Sequence, residues 1–446
     1  MNRLSHYGSQ SHKRSRLPYI GVGLVDQAFS SVSNTGIVFA VARVSEVRSF
    51  GSISFALAAV FTTLAISRGT LGVPISLFGD RPEKLGGETN HALAVAGSIG
   101  LVVSLLSIPL GLTAGGPAMA AALCLASPAV LMQDVCRFYV VAASRPWVAV
   151  MADGLWACST LLLLLTTFAP HPPFNSLALV VGWSMSAGLS LILIMSVGRV
   201  FPRVRGTLVW LRESSFHRVR FGLDAAAGAT GSFVLVGLAG VWLGAEAIAA
   251  LRGAATVLGP IAVLISATQL SVVPELRRRN LSVDALWSRL WRIALPMSSI
   301  SLTIGIASML VPATWGEIIL GNSWGVVRGL LPITGAEYGA VCWIAAISAG
   351  LTVRGRSGAR LRLGIGLVAL SAIGVIFGAL VLSSVVAVAA GLFVSAVVAS
   401  VGGLWALLHD PGRTGTSGAD ACEDLTPTSV SMPDAATHDF DGSPGA

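Results

Sequence analysis

The sequence predicts an all-α polytopic membrane protein, with about twelve transmembrane helices in two six-helix lobes related by a parallel pseudo-two-fold repeat. Three observations carry that prediction. Of 446 residues, 54% are apolar and only 11% are charged, whereas an average soluble domain carries about 25% charged residues. Twelve apolar runs are each long enough to cross the hydrocarbon core, which takes about 20 residues. Lysine and arginine then alternate from side to side along the connections between those runs. A mean hydropathy of +0.78 and 50 glycines fit packed membrane helices and exclude a soluble multidomain enzyme. Five cysteines with no CxxC or paired spacing exclude a disulfide scaffold.

Taken in order, the runs are 19–43, 50–75, 92–114, 117–141, 147–169, 174–198, 221–243, 248–272, 290–312, 330–352, 361–383 and 385–408. The connections at Gly115–Gly116 and around Ser383–Ser384 are very short. The first run is too long for a signal peptide and follows Arg3, Lys13, Arg14 and Arg16, so it reads as a retained anchor. With the N-terminus inside, the inner segments hold 24 of the 29 Lys and Arg residues. Arg43, Arg48, Arg252 and Arg328 fall at outer ends, and Arg68 falls within span two. Gaining or losing one span would scramble this alternation, so the asymmetry supports both the count and the orientation.

The chain then divides into five parts. Residues 1–18 are a basic cytoplasmic tail, 19–198 the first six-helix lobe, 199–220 a basic cytoplasmic linker and 221–408 the second lobe. Residues 409–446 hold seven acids against one arginine among many Ser, Thr, Pro and Gly; that composition predicts a disordered cytoplasmic tail. The +8 formal charge therefore needs no nucleic-acid partner. Arg199, Arg203, Arg205, Arg212, Arg218 and Arg220 read as a solvated loop resting on anionic membrane lipid.

An offset of about 198–200 residues relates the halves. It sets Asp26 on Asp224, each opening the first span of its half, and Pro74 on Pro274 at the inner end of the second. Six spans per half place both halves in the same orientation.

No enzymatic signature is present: no phosphate-cradling glycine loop, no HExxH, no GxSxG, and outer loops of a handful of residues. Scattered histidines give no reason to expect a metal, and nothing calls for a cofactor. The informative residues are the intramembrane ionisable ones, which cost at least about 2.5–3.5 kcal/mol at mid-helix and usually face a polar cavity. They are Asp26, Arg68, Asp134, Arg137, Asp153 and Asp224, all nearer the inner face. Asp134 and Arg137 stand at i,i+3 and can neutralise each other. After Asp26 come Gln27, Ser30, Ser33 and Asn34, which make one face of the first span polar for two turns.

A resemblance follows from these residues. Leu24-Val25-Asp26-Gln27 through Ser33-Asn34 to Ala42-Arg43, then Ser49-Phe50-Gly51, resembles the opening of Wzx-type polysaccharide flippases, in the multidrug/oligosaccharidyl-lipid/polysaccharide exporter superfamily. Gln133 to Tyr139, followed by Asp153-Gly154-Leu155-Trp156, is similar to spans four and five of actinobacterial members. Leu251-Arg252, Gly259-Pro260 and Pro274-Glu275-Leu276 resemble the eighth span, and Leu320 to Trp324 the outer end of the ninth. The match runs over residues 20–330.

The resemblance implies two lobes around a central cavity that opens alternately to each side, in the plasma membrane. It also implies a polyprenyl-diphosphate-linked oligosaccharide as cargo, H+ or Na+ as candidate coupling ion, and glycosyltransferases and a polymerase of one pathway as partners. Arg68, Arg137 and Arg252 are the cations available for the diphosphate, with Asp26, Asn34 and Asp224 beside them and Asp26 holding Arg68 while the cavity is empty. Two other readings stay open: a cation-coupled multidrug extruder of the same fold, built on Asp26 and Asp224, and a non-transporting scaffold of a polysaccharide-synthesis complex. The sign of the charge facing the cavity separates the first two, because an anionic diphosphate wants arginine and a cationic drug wants carboxylates.

The topology gives the first prediction. Reporter fusions after Arg16, within 203–215 and after Arg413 are expected to behave as cytoplasmic; a periplasmic signal at any of them refutes the twelve-span arrangement.

Overall fold

In a computed structural model the described residues are 17–77, 82–213, 215–267, 276 and 281–409. They contain helices and no strand. The acidic tail, most of the N-terminal tail and Pro274 lie outside them.

Helix α1 (Leu17–Val44) is span one. Helix α2 (Val47–Ser67) runs through a π-turn (Arg68–Gly72) into α3 (Val73–Leu77), making span two. Helix α4 (Pro82–Ala142) holds spans three and four, broken at Gly115 and Gly116. Gly116 has φ of +74°, open to glycine at little steric cost, and Pro117 restarts the helix. Spans five and six are α5 (Pro146–Thr166) and α6 (Ser176–Gly198). Helix α6 is capped by Asn175, whose side chain accepts from the Ala178 N–H at 2.9 Å. In the linker lies a short helix, α7 (Thr207–Glu213), and α8 (Ser215–Leu243) is span seven.

Span eight is broken. Helices α9 (Ala245–Val257) and α10 (from Gly259) meet at a 59° bend where Gly259-Pro260 interrupts the hydrogen-bond ladder. Helix α11 (Val283–Leu310) is span nine. Two short helices follow, α12 (Ala313–Leu320) and α13 (Trp324–Arg328), and then α14 (Leu331–Val353), α15 (Ser357–Ile376, prolonged by a π-turn Phe377–Val381) and α16 (Val385–His409).

Helical segments follow one another in the order expected for twelve spans; among the described residues eight helices, or nine counting the bent pair of span eight, are long and apolar enough to cross a membrane. The segment between spans nine and ten departs from expectation. It is not a bare loop, and Leu320 to Trp324 is not the end of the ninth span, which stops at Leu310. Pro312 lacks an N–H for further helix, and Gly321 (φ +55°) turns so tightly that a Cβ there would lie 2.3 Å from the Arg43 carbonyl oxygen.

The first six spans pack among themselves, α1 on α5 and α6, and α4 on α2 and α6. In the second half α11 lies along α14. The halves meet where α2 touches α8 and α9. Lipid tails are as apolar as leucine, so such contacts rely on small residues that let backbones approach. At Gly51 a Cβ would stand 2.1 Å from the Ala245 carbonyl oxygen. Nearby, Arg43 donates from Nε to the Thr167 carbonyl at 2.7 Å and sits over the Phe168 ring. The exposed Arg48–Glu246 pair (3.0 Å) adds little.

Gly51→Ala is expected to cost about 1–3 kcal/mol through overpacking, read as a lower thermal unfolding midpoint in detergent. Gly86→Ala, into open space, is the control and should cost less than half as much; equal midpoints for the two variants would show that the Gly51 contact is not tight.

Candidate functional site

Two polar sites emerge, one inside the first half and one between the halves. Within the first half, residues from spans one, two, four, five and six converge about two turns from the helix ends at Ala142, Pro146 and Gly198. Arg68 opens the π-turn, a distortion that often re-aims a side chain at functional sites. Its guanidinium grips Asp134 as a fork, Nη2 at 2.8 Å and Nε at 3.0 and 3.1 Å, and reaches Ser30 Oγ at 3.5 Å. Arg137 sits at the centre. Its Nε lies 2.8 Å from Asp26 Oδ2, and its Nη1 lies 3.3 Å from Asp134 and 3.5 Å from Asp153. Its Nη2 donates to Gln27 Oε1 at 3.2 Å. Gln133 closes the inner side, donating to Asp153 Oδ1 at 2.5 Å and to Ser190 Oγ at 3.2 Å.

The pairing corrects one expectation. Asp26 does not hold Arg68; it holds Arg137, while Asp134 holds Arg68. Asp134 also touches its i,i+3 neighbour Arg137, and so bridges both arginines. The network carries three carboxylates against two guanidiniums, a formal excess of one negative charge. Asp26 Oδ1 and Asp153 Oδ2 are buried without a hydrogen-bond donor. Neither arginine is free to act as an open anion site in this state.

The second site is a cavity of about 150 Å³ between the halves. Spans one and two give it Asn34, Thr35, Val38 and Phe61; span eight gives Arg252, Ala255, Thr256 and Gly259; span ten gives Tyr338. Arg252 Nε and Asn34 Oδ1 are both buried with no hydrogen-bond partner. No carboxylate is among the residues lining this cavity. An unpaired buried donor on a cation costs several kcal/mol unless something else satisfies it, so this geometry accepts an anionic or carbonyl-bearing group.

The structure therefore brings Asp26, Arg68 and Arg137 together in one cluster, and Asn34 and Arg252 in another. Asp224 lies on the first half of α8, and its side chain falls outside the described residues. Two contributors were missed: Ser190 and Tyr338. Glu337, next to Tyr338 on span ten, is half-buried but is not among the residues lining the cavity. Among the described residues no group of three or more His, Cys, Asp or Glu is placed to hold a metal ion.

No protein-family model matches the chain, and no curated protein matches its sequence. Solved structures do match. The lipid II flippase MurJ, in an inward closed conformation, superposes with a TM-score of 0.62 at 11% identity, covering 88% of this chain and 87% of its own. At such identities the likeness shows a shared fold. A multidrug resistance MATE family transporter of the MOP superfamily, in an inward-facing conformation, gives 0.59 at 16% identity over 86% of this chain and 96% of its own. A eukaryotic MATE transporter, AtDTX14, gives 0.59 at 17% identity over 88% and 96%.

Asp134→Ala is expected to destabilise the protein by about 3 kcal/mol, because it leaves Arg68 with only Ser30 Oγ while Arg137 keeps Asp26 and Asp153. Asp134→Asn, which keeps an acceptor, should cost clearly less. Denaturation in detergent reads the difference; an Asp134→Ala protein as stable as the parent would show that the network is not structural.

Proposed function

We propose that the chain is a membrane carrier, not an enzyme, that moves a polyprenyl-diphosphate-linked saccharide across the plasma membrane by alternating access. The observation that carries this reading is the unpartnered Arg252 Nε in a cavity between the halves with no carboxylate on its walls. An anionic headgroup supplies what that guanidinium lacks, and a fork geometry suits phosphate oxygens. The sign of the charge on this cavity thus favours the flippase over the extruder.

A volume of about 150 Å³ takes a phosphate-sized group and not an oligosaccharide. Passage of the sugar therefore requires the halves to separate, which is what a fold of two six-helix halves in contact at α2, α8 and α9 allows. Arg68 and Arg137 enter this reading as supporting charges: they fix the network, and a diphosphate reaches them only by displacing carboxylates.

The unbalanced carboxylate gives the network a second task. An excess of one negative charge in a low-dielectric bundle is neutralised by one monovalent cation, H+ or Na+, which makes the cluster the coupling site of the proposed cycle. The same carboxylate excess supports the other transporter reading, a cation-coupled multidrug extruder. With both termini on the cytoplasmic side, as the charge alternation predicts, the cluster sits toward the cytoplasm, and the glycosyltransferases and polymerase that make and use the cargo are the expected neighbours.

The test is transport by purified protein in liposomes, using a fluorescent short-chain polyprenyl-diphosphate disaccharide. Arg252→Ala is expected to slow flipping at least about tenfold, and Arg252→Lys to restore part of it, since an ammonium lacks the planar fork. A parent protein that leaves this lipid in place but carries a cationic dye, with Arg252→Ala no slower, sinks the flippase reading and favours the extruder.

A further inference from the structure

Outside both sites, the largest polar cluster among the described residues joins the linker to the start of span three. Glu88 Oε2 accepts from Trp210 Nε1 at 2.8 Å and from Arg218 Nη2 at 2.7 Å. The Arg218 guanidinium lies 4.0 Å above the Trp210 ring, and His91 stacks on that ring at 5.6 Å. His91 Nδ1 meets Thr207 Oγ1 at 2.9 Å. Asn90 takes two backbone N–H groups of the linker, Phe201 on its side chain (3.0 Å) and Arg203 on its carbonyl (2.9 Å). Arg218 is only 3% exposed. It is not part of a solvated basic loop, which corrects the expectation for this residue. Arg199, Arg203 and Arg205 stay exposed.

The position of this cluster gives it a mechanical meaning. Glu88 belongs to the first half, Arg218 to the opening turn of α8 in the second half, and Trp210 to the linker between them. Four residues beyond Arg218, Gly222 rests on the π-turn that carries Arg68: a Cβ there would lie 2.3 Å from Thr70 Cγ2. The start of α8 thus covers the end of span two one turn beyond the point where Arg218 is paired with Glu88. A charge-assisted bond, shared with an indole N–H and backed by a cation–π contact, is partly shielded from water and salt, unlike an exposed surface pair.

We propose that Glu88, Trp210 and Arg218 form an inter-half clamp that keeps this end of the bundle closed, and that it must release before α8 can leave the π-turn. The clamp rests on the alternating-access reading for its purpose but not for its existence, because it is read without any substrate. It places the control of this gate on the linker, with Trp210 as the piece that transmits linker position to Arg218. Its residues belong to neither polar site.

The test measures access to Thr70. Thr70→Cys is introduced into a full-length chain whose five native cysteines are replaced, and its modification by a water-soluble maleimide is timed in lipid nanodiscs. Glu88→Arg and Arg218→Glu are each expected to speed labelling about tenfold, and the double exchange to return it to within about twofold of the parent rate. Should a charge reversal fail to give monodisperse protein, the isosteric Glu88→Gln is read instead, with about threefold faster labelling expected. Unchanged labelling in the single variants, or a double exchange that labels as fast as either, overturns the clamp. Failure of the clamp leaves the Arg252 reading standing, because transport and labelling are separate measurements.

Discussion

Five charged side chains held inside an apolar bundle set the terms for the first half of this protein. Desolvating each of Asp26, Arg68, Asp134, Arg137 and Asp153 costs several kcal/mol, and only close pairing with satisfied hydrogen bonds repays it. That requirement ties four spans into one register. Arg137 must reach Asp26 on span one and Asp153 on span five, while Asp134, one turn away, must reach Arg68 across from span two. The π-turn at Arg68–Gly72 is the backbone adjustment at the point where Arg68 enters the network. Gln133 and Ser190 bring span six into the same set of bonds.

Among the described residues of the second half no comparable network is present. There the described residues pack through apolar and small side chains, as where a Cβ on Gly305 would meet the Leu331 carbonyl at 2.8 Å. The two halves therefore divide the work implied by the proposed function. The first carries a charge-dense core with one carboxylate in formal excess; the interface carries an arginine whose Nε has no hydrogen-bond partner. In the proposed cycle, binding at Arg252 and cation exchange at the cluster would be linked through span one, which supplies Asp26 and Gln27 to one site and Asn34 and Thr35 to the other. A tilt or rotation of α1 that serves one site moves the other, so this shared helix is the route the proposed coupling would take.

The span order was legible in the sequence because span length and arginine placement are one-dimensional signals. Gly115–Gly116 and its following proline marked a real break for the same reason. The network members were also legible, since any ionisable residue in a span is conspicuous; their pairing was not. Whether Asp26 meets Arg68 or Arg137 depends on how helices cross and which face each presents, and periodicity within one span carries no information on that. Arg252 shows the same limit. Counting along the chain puts it near an outer end, whereas its lateral neighbours Asn34 and Tyr338 make it a cavity residue. Arg218 was hidden by composition, because a basic linker looks solvated until Trp210 and Glu88 are seen to enclose it.

The central claim is that the excess carboxylate of the network exchanges one monovalent cation per cycle and so drives movement at the interface. The most direct measurement is transport of the lipid-linked disaccharide under an imposed H+ or Na+ gradient, comparing the parent with Asp153→Asn, which removes the excess charge while keeping the side chain's shape. The account predicts that one of the two gradients accelerates the parent and that neither accelerates Asp153→Asn. Acceleration of both proteins to the same extent, or a parent indifferent to both gradients, would contradict it.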